Sequence, residues 1–486
     1  MPSITRRGMS PSITKQLTLA TLLLTLPAGC TVGPSYHRPS VNTPDVFRGA
    51  SDPGATPGSA SDSNSLADLK WFEVFKDPQL QDLIKTAFTQ NFDIRQAVAR
   101  VSAARAVLGS TRAEQFPEIS ASAEITKLRN STKGSFPLPS GASRDRTFGT
   151  VLLNLLSFEV DVWGRLRRQT EAARAQLQES EEDRKAIMTT LVSDMATAYF
   201  DLLELDMERE IAMRTLAARK ESLALIKVRQ EGGVATMLDV RQGEQLVYSA
   251  SQTLPDLERQ IERTENLINL LAGKNPATVT RGLSLTAQEQ PPAVPPGLPS
   301  SLLERRPDIR AAEQGLIAAN ANIGVARAAY FPQISLTGFL GTQSNQLSTL
   351  FRGPASTWQF VPQITQPIFN GGRIRSNVKL AKAQQEIALI EYEKSIRTAF
   401  REVSDALVQY RKVKEIRTQQ ELLVATLEDR SRLAYVRYRG GVDTLLSALD
   451  ADRDLFDAQL NLAQTKRDEL LSLVQLYKAL GGGWQQ

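Results

Sequence analysis

The stretch RLAYVRYRGGVDTLLSALD, residues 432–450, decides the fold, because Gly440-Gly441 is the first break in a run that starts at Arg373. The 67 residues from Arg373 to Arg439 contain neither Gly nor Pro, and as one helix they would reach about 100 Å at 1.5 Å per residue. Positions 396, 399, 403, 406, 410, 413, 417, 420, 424, 427, 431 and 434 keep a 3-4 spacing. Nine of the twelve are apolar, with Arg417, Gln420 and Ser431 the exceptions. Such a seam packs one helix along another. The chain then turns at Gly440-Gly441-Val442 and returns to Leu480 without another Gly or Pro.

The same object occurs earlier. Arg165 to Glu231 is again 67 residues free of Gly and Pro, with a seam from Met188 to Ile226 and a turn at Gly232-Gly233-Val234. The return helix is expected to about Ala272, opened by Thr236 and Asp239 at capping-box spacing and bent at Gly243 and Pro255. The two copies lie 208 residues apart, so the chain is duplicated.

Ahead of each long helix the pattern shortens. Asp77-Pro78 starts a helix that carries Leu80, Leu83, Ile84 and Ala87 and ends at Phe116-Pro117. Ile119, Ala121, Ala123 and Ile125 then alternate with polar residues as a strand, and a second strand runs from about Thr147 to Val160 after a polar loop, Lys127 to Arg146. Beyond a proline-rich connection, Pro276 to Pro299, the pattern restarts at an offset of 215: Asp93-Ile94-Arg95 answers to Asp308-Ile309-Arg310, and Phe116-Pro117 to Phe331-Pro332. Ile334, Leu336, Gly338 and Leu340 face one way in the third strand, and the fourth lies near Trp358 to Phe369.

The N-terminus has its own logic. Arg6, Arg7 and Lys15 precede an apolar run, Leu17 to Leu26, and then Pro27-Ala28-Gly29-Cys30, a secretory signal with small residues before the cut. The run is too short to span a bilayer. A Cys directly after Ala-Gly resembles a bacterial lipobox, with Pro27 where Leu is usual, so Cys30 is expected to be acylated and to begin the mature chain. Thr31 in place of Asp favours the outer membrane. The expected organisation is a signal peptide, 1–29; an acylated tether, 30–70; a first repeat, 71–275; the proline-rich connection, 276–300; and a second repeat, 301–484.

Composition excludes several classes. Removal of Arg6, Arg7 and Lys15 from 58 basic residues leaves 55 against 53 acidic, a balance unlike that of nucleic-acid binders. One Cys and one His exclude internal disulfides and Cys/His metal sites. With no nucleotide-binding loop and no nucleophile elbow, neither an enzyme nor a cofactor is expected.

Four strands cannot close a transmembrane barrel, and an open edge in lipid leaves backbone groups unpaired. The barrel must therefore be shared, and three subunits, giving twelve strands, leave a lumen wide enough for solutes. The fold class read here is an α+β membrane protein in which a duplicated chain gives four strands to a trimeric, twelve-stranded barrel, continued by a long α-helical coiled-coil tunnel. An envelope coiled-coil scaffold that does not conduct is the competing reading from another class. The outer duct of a type I secretion system competes within transport, disfavoured by Cys30.

Several stretches resemble the outer membrane factors, in particular the lipoprotein channels of resistance-nodulation-division efflux pumps. They are Cys30-Thr31-Val32-Gly33-Pro34; Trp71, Phe72 and Phe75 with Asp77-Pro78; Arg305-Arg306-Pro307-Asp308-Ile309-Arg310; Ala319-Asn320-Ala321; and Tyr477 through Trp484. The resemblance implies a homotrimer in the outer membrane with a closed periplasmic tip, engaged by a periplasmic adaptor protein and an inner-membrane transporter of that pump class. It maps the gate onto Leu446, Asp450 and Arg453, and adaptor docking is expected at Gly232, Gly233, Val234, Gly440, Gly441 and Val442. Leu446 and Asp450 share a helix face, and three copies of Asp450 on one axis would repel one another and select cations. The first-half equivalents, Leu238, Gln242 and Gln245, carry no charge. Arg209 and Arg417, at matched seam positions, are assigned no role.

Overall fold

A computed structural model describes residues 31–41, 43–44, 47–48, 66–131, 133, 141, 143–289 and 299–485. The signal peptide, Cys30 and most of the tether lie outside the described residues, as do parts of the first hairpin loop and of the proline-rich connection. In order, the elements are α1 (Trp71–Val74), α2 (Pro78–Gln90), α3 (Phe92–Ala113), β1 (Ile119–Arg129), β2 (Asp145–Glu159), α4 (Arg165–Glu231) and α5 (Met237–Leu271). The second half follows with α6 (Leu302–Arg305), α7 (Pro307–Ala328), β3 (Gln333–Ser344), β4 (Ser356–Thr365), α8 (Arg373–Arg439) and α9 (Leu445–Ala479).

Both long helices have the expected bounds, 67 residues each. Every seam position of α8 is buried or half-buried, with Ile396, Ala399 and Val403 wholly inaccessible. α5 continues unbroken through Gly243 and Pro255, and its capping box is present, Thr236 N donating to Asp239 Oδ2 at 2.6 Å. β4 stops at Thr365 rather than Phe369, since Pro367 offers no N–H to a ladder. No described helix is long and apolar enough to cross a membrane.

Two compact units emerge, and each draws on both repeats. One comprises 1–39, 103–178 and 314–390 and holds the sheet; the other comprises 40–102, 179–313 and 391–486. The sheet is antiparallel in the order β1-β2-β3-β4. In the second unit, Leu80, Ile84, Met195, Tyr199, Leu202, Ile268, Val474 and Tyr477 belong to one buried cluster.

Part of the connection after α5 is docked in that unit. Val279 and Leu285 are buried, and Arg281 pairs with Asp206 at 2.8 Å and with Glu265. Asp77 is the hub. It caps α2 by accepting from Gln79 N at 2.8 Å, and it also accepts from Tyr199 Oη at 3.0 Å, Leu283 N at 2.9 Å and Gln288 Nε2 at 2.9 Å. Arg306, also buried, holds Asp308 and Glu402 and donates to the Ala479 carbonyl at 3.1 Å, satisfying the end of α9. That contact joins the Arg-Pro-Asp motif to the C-terminal segment.

Candidate functional site

The strand register gives the sheet one apolar face. Ile119, Ala121, Ala123 and Ile125 of β1 lie on it with Val151, Leu153 and Leu155 of β2; Ile334, Leu336, Gly338 and Leu340 of β3 and Trp358, Phe360, Pro362 and Ile364 of β4 extend it. A register shift between Leu155 and Phe158 turns Phe158 onto the same face, opposite Leu336, as a bulge does. The other face carries Ser120, Ser122, Glu124, Thr150, Asn154, Ser335, Thr337, Gln359 and Gln363, interrupted by Leu152, Phe339 and Val361. Asn154 Nδ2 donates to Ser122 Oγ across it at 3.0 Å. Both faces are largely uncovered, Trp358 being 76% exposed. A sheet with an open apolar face, a polar face and free edges at β1 and β4 has the pattern of a transmembrane barrel segment.

The helix turns form the second part of the site. Gly233 and Gly441 both have φ of +73°, a conformation that glycine adopts without strain. Val234 N donates to Arg229 O at 2.8 Å and Gly233 N to Gln230 O at 3.0 Å; Val442 N and Gly441 N repeat this on Arg437 O and Tyr438 O at 3.1 Å. These are Schellman terminators. They leave Val234 and Val442 exposed at the turns.

Leu446 is exposed and Asp450 half-buried, one turn apart on α9. Arg453 Nη1 stands 3.3 Å from Asp450 Oδ1, as the spacing implied, but its other nitrogen is closer to Asp454 Oδ1, at 3.1 Å. Asp454 in turn pairs with Arg430 of α8 at 2.8 Å. The two guanidiniums hold its carboxyl below the usual carboxylate range, Arg430 being the larger influence. Asp450 is thus the end of an ion chain that sequence reasoning saw only in part, because α8 and α9 had no register until they packed.

A stronger tie lies beneath. Arg219 of α4, only 3% exposed, donates to Asp452 of α9 at 2.7 Å and to the Leu246 carbonyl of α5 at 3.2 Å, and lies 4.9 Å from the centre of the Phe456 ring. It joins the helix hairpin of one repeat to that of the other. The signal was present, since Arg219 sits at a seam position whose second-half counterpart is Leu427. Arg417 also has a partner, Glu469 at 3.1 Å.

Farther along α4, Glu204 and Glu208 are both buried, one helical turn apart. Arg467 of α9 faces Asp201 at 3.6 Å, Glu204 at 3.5 Å and Asp468 at 2.7 Å, and Gln464 Nε2 donates to Glu208 at 2.8 Å. One cation is shared by several carboxylates. Burial first, and then the hydrogen bond and charge of Glu208, push Glu204 up to about 8 from 4.5. A carboxyl raised on folding makes the folded state take up a proton, so stability falls as pH rises from about 4.5 to about 8. Melting curves of wild type and Glu204→Gln across pH 5–9 should show this slope in the wild type and a shallower one in the variant; parallel slopes would refute the assignment.

The described N-terminal segment is anchored in the unit that holds the sheet. Val32 N donates to Trp163 O at 3.0 Å, and Asn320 Nδ2 to Pro34 O at 3.0 Å. At Gly164, between β2 and α4, a Cβ would come 3.0 Å from Thr31 Cα. The residue after Cys30 therefore rests where strand gives way to helix.

An open sheet with an apolar face, joined in sequence to two 67-residue helices, defines a subunit of a membrane conduit. The family model for outer membrane efflux proteins matches residues 83–274 and 298–482, and the chain belongs to that family. It is 38% identical over 475 residues to the toluene efflux pump outer membrane protein TtgC of Pseudomonas putida, covering 98% of this chain and 97% of that one. The antibiotic efflux pump outer membrane protein ArpC, also of Pseudomonas putida, shows the same identity and coverage. The crystal structure of the open state of the Neisseria gonorrhoeae MtrE outer membrane channel superposes with a TM-score of 0.83 at 31% identity, covering 94% of this chain and 99% of that one. The protein is an outer-membrane efflux channel, and the duplicated α+β fold expected from the sequence is the fold of this class.

Proposed function

We propose that three copies of the chain pair β4 of one with β1 of the next into a twelve-stranded barrel, and that the helices prolong it as a periplasmic tunnel. The observation that carries this is the four-stranded sheet with two unpaired edges and one apolar face; closure removes edges that lipid cannot satisfy. Cys30 carries the lipid anchor, a placement supported by the docking of Thr31 at Gly164. The turns at Gly232-Gly233-Val234 and Gly440-Gly441-Val442 form the periplasmic tip, where the apolar Val234 and Val442 receive an adaptor protein, and an inner-membrane transporter supplies the energy. Small organic molecules are the cargo, in keeping with relatives named for toluene and antibiotic efflux.

Leu446, Asp450 and Arg453 are the gate in this reading. A single exposed Asp450–Arg453 pair is worth less than about 1 kcal/mol, so gating comes from three such acids near one axis, each restrained by Arg453. Single-channel recordings in planar bilayers should give small, flickering openings for the wild type and several-fold larger ones for Asp450→Ala. Equal conductance would move the gate elsewhere, and two well-folded proteins that pass no current would overturn the conduit.

A further inference from the structure

The two junctions between strand and long helix occupy equivalent places in the repeats, 208 residues apart, yet their chemistry is opposite. In the first, the cations at the start of α4 are neutralised at once. Arg165 makes two bonds to Glu159, at 2.7 and 2.9 Å, and Arg167 pairs with Asp161 at 3.3 Å. In the second, Arg373 and Arg375 stand in place of Arg165 and Arg167, but the positions of Glu159 and Asp161 are taken by Pro367 and Phe369. Neither cation has a carboxylate partner among the described residues, and both are exposed, as is Lys379 one turn beyond Arg375.

The apolar residues at and between those positions are exposed as well. Ile368 and Phe369 are 90% and 91% accessible, and they lie three and four residues beyond the end of β4, whose Trp358, Phe360, Pro362 and Ile364 belong to the apolar face. Aromatic groups surround the same level. Gln366 Nε2 donates to the Tyr330 carbonyl at 3.2 Å, Tyr330 is half exposed, and Phe331 stacks on Trp163 at 4.7 Å. Aromatic and apolar residues beside free cations, continuous with a lipid-facing strand, match the layering of a bilayer surface in which acyl chains give way to phosphates.

We propose that the junction between β4 and α8 binds anionic phospholipid of the periplasmic leaflet. Ile368 and Phe369 enter the acyl boundary, and Arg373 and Arg375, with Lys379 behind them, take the headgroup phosphate. Arginine suits this role, since its planar fork matches phosphate oxygens. The first junction, with its internal ion pairs, does not compete. The assignment rests on the reading of the sheet as the membrane-spanning part.

The test uses the full-length trimer purified in a neutral detergent, melted with added phosphatidylglycerol, phosphatidylcholine or soluble glycerol 3-phosphate. Phosphatidylglycerol should raise the melting temperature of the wild type and of Lys412→Gln, a variant of an exposed cation elsewhere on α8. The gain should be mostly lost in Arg373→Gln/Arg375→Gln and should shrink in high salt, while the other two additives give none. An undiminished gain in the double variant, or an equal gain with phosphatidylcholine, overturns the site. So does a double variant that no longer assembles as the wild type does, which would assign these cations to a neighbouring subunit. Bilayer conductance on the same preparations separates the two readings: a wild type that conducts but ignores phosphatidylglycerol refutes the lipid site alone.

Discussion

In Arg219→Ala, backbone amides around Asp452 and Phe456 on α9 should exchange with solvent about a hundredfold or more faster than in the wild type. The reason is the asymmetry of buried ion pairs. Removing one partner strands the other charge, at about 3–5 kcal/mol, and here Asp452 is left beside the burial vacated by a side chain only 3% exposed. The loss has a second component, because the same guanidinium satisfies the Leu246 carbonyl and covers Phe456. A paired replacement, Arg219→Met with Asp452→Leu, should recover most of the protection, since a well-packed apolar pair of similar volume is often as stable as the ion pair. Asp452 is two residues from Asp450, so the single variant should also raise channel conductance if α9 carries the gate. Unchanged exchange on α9 would show that the tie contributes nothing to the pairing of the hairpins.

Asp77→Ala should be the most damaging substitution in the other part of the second unit, costing roughly 3–5 kcal/mol from the lost cap together with stranded donors. The carboxylate is 1% exposed, and its removal leaves the N–H groups of Gln79 and Leu283 without their acceptor, along with the Tyr199 hydroxyl. Burial pushes the Tyr199 phenol up, so it remains a donor. Asp77→Asn keeps one acceptor oxygen and should lose about half as much. The readout is a thermal melt combined with limited proteolysis between residues 276 and 289, the segment that Leu283 and Gln288 fasten to Asp77. If that segment stays as protected in Asp77→Ala as in the wild type, the hub assignment fails.

Asp77 also marks where sequence reading stops. Asp77-Pro78 announced a helix start, and the cap is there; that the same carboxylate would hold a segment about two hundred residues later was not legible, because nothing local encodes it. The proposed gate residues show the same division. The four-residue spacing placed Leu446 and Asp450 on one face, and the three-residue spacing paired Arg453 with Asp450. The competing partners Asp454 and Arg430 emerged only when α8 and α9 took a definite stagger. Arg219 was overlooked although a cation in an apolar seam is itself a signal, since its meaning depended on an acid on a helix from the other repeat.

By itself the sequence determined the duplication, the two 67-residue helices and their glycine turns, the two hairpins, and the alternation that gives the sheet an apolar face. These follow from local rules: helix runs end where glycine supplies a left-handed residue, and strand faces follow a period of two. Only the tertiary structure decided that β2 adjoins β3, that β2 shifts register before Phe158, that α4 and α9 are tied through Arg219 and Asp452, and that the apolar residues standing in place of the acids at the second strand–helix junction lie exposed. Those outcomes depend on stagger and side-chain reach between segments far apart in the chain, and no local pattern carries that information.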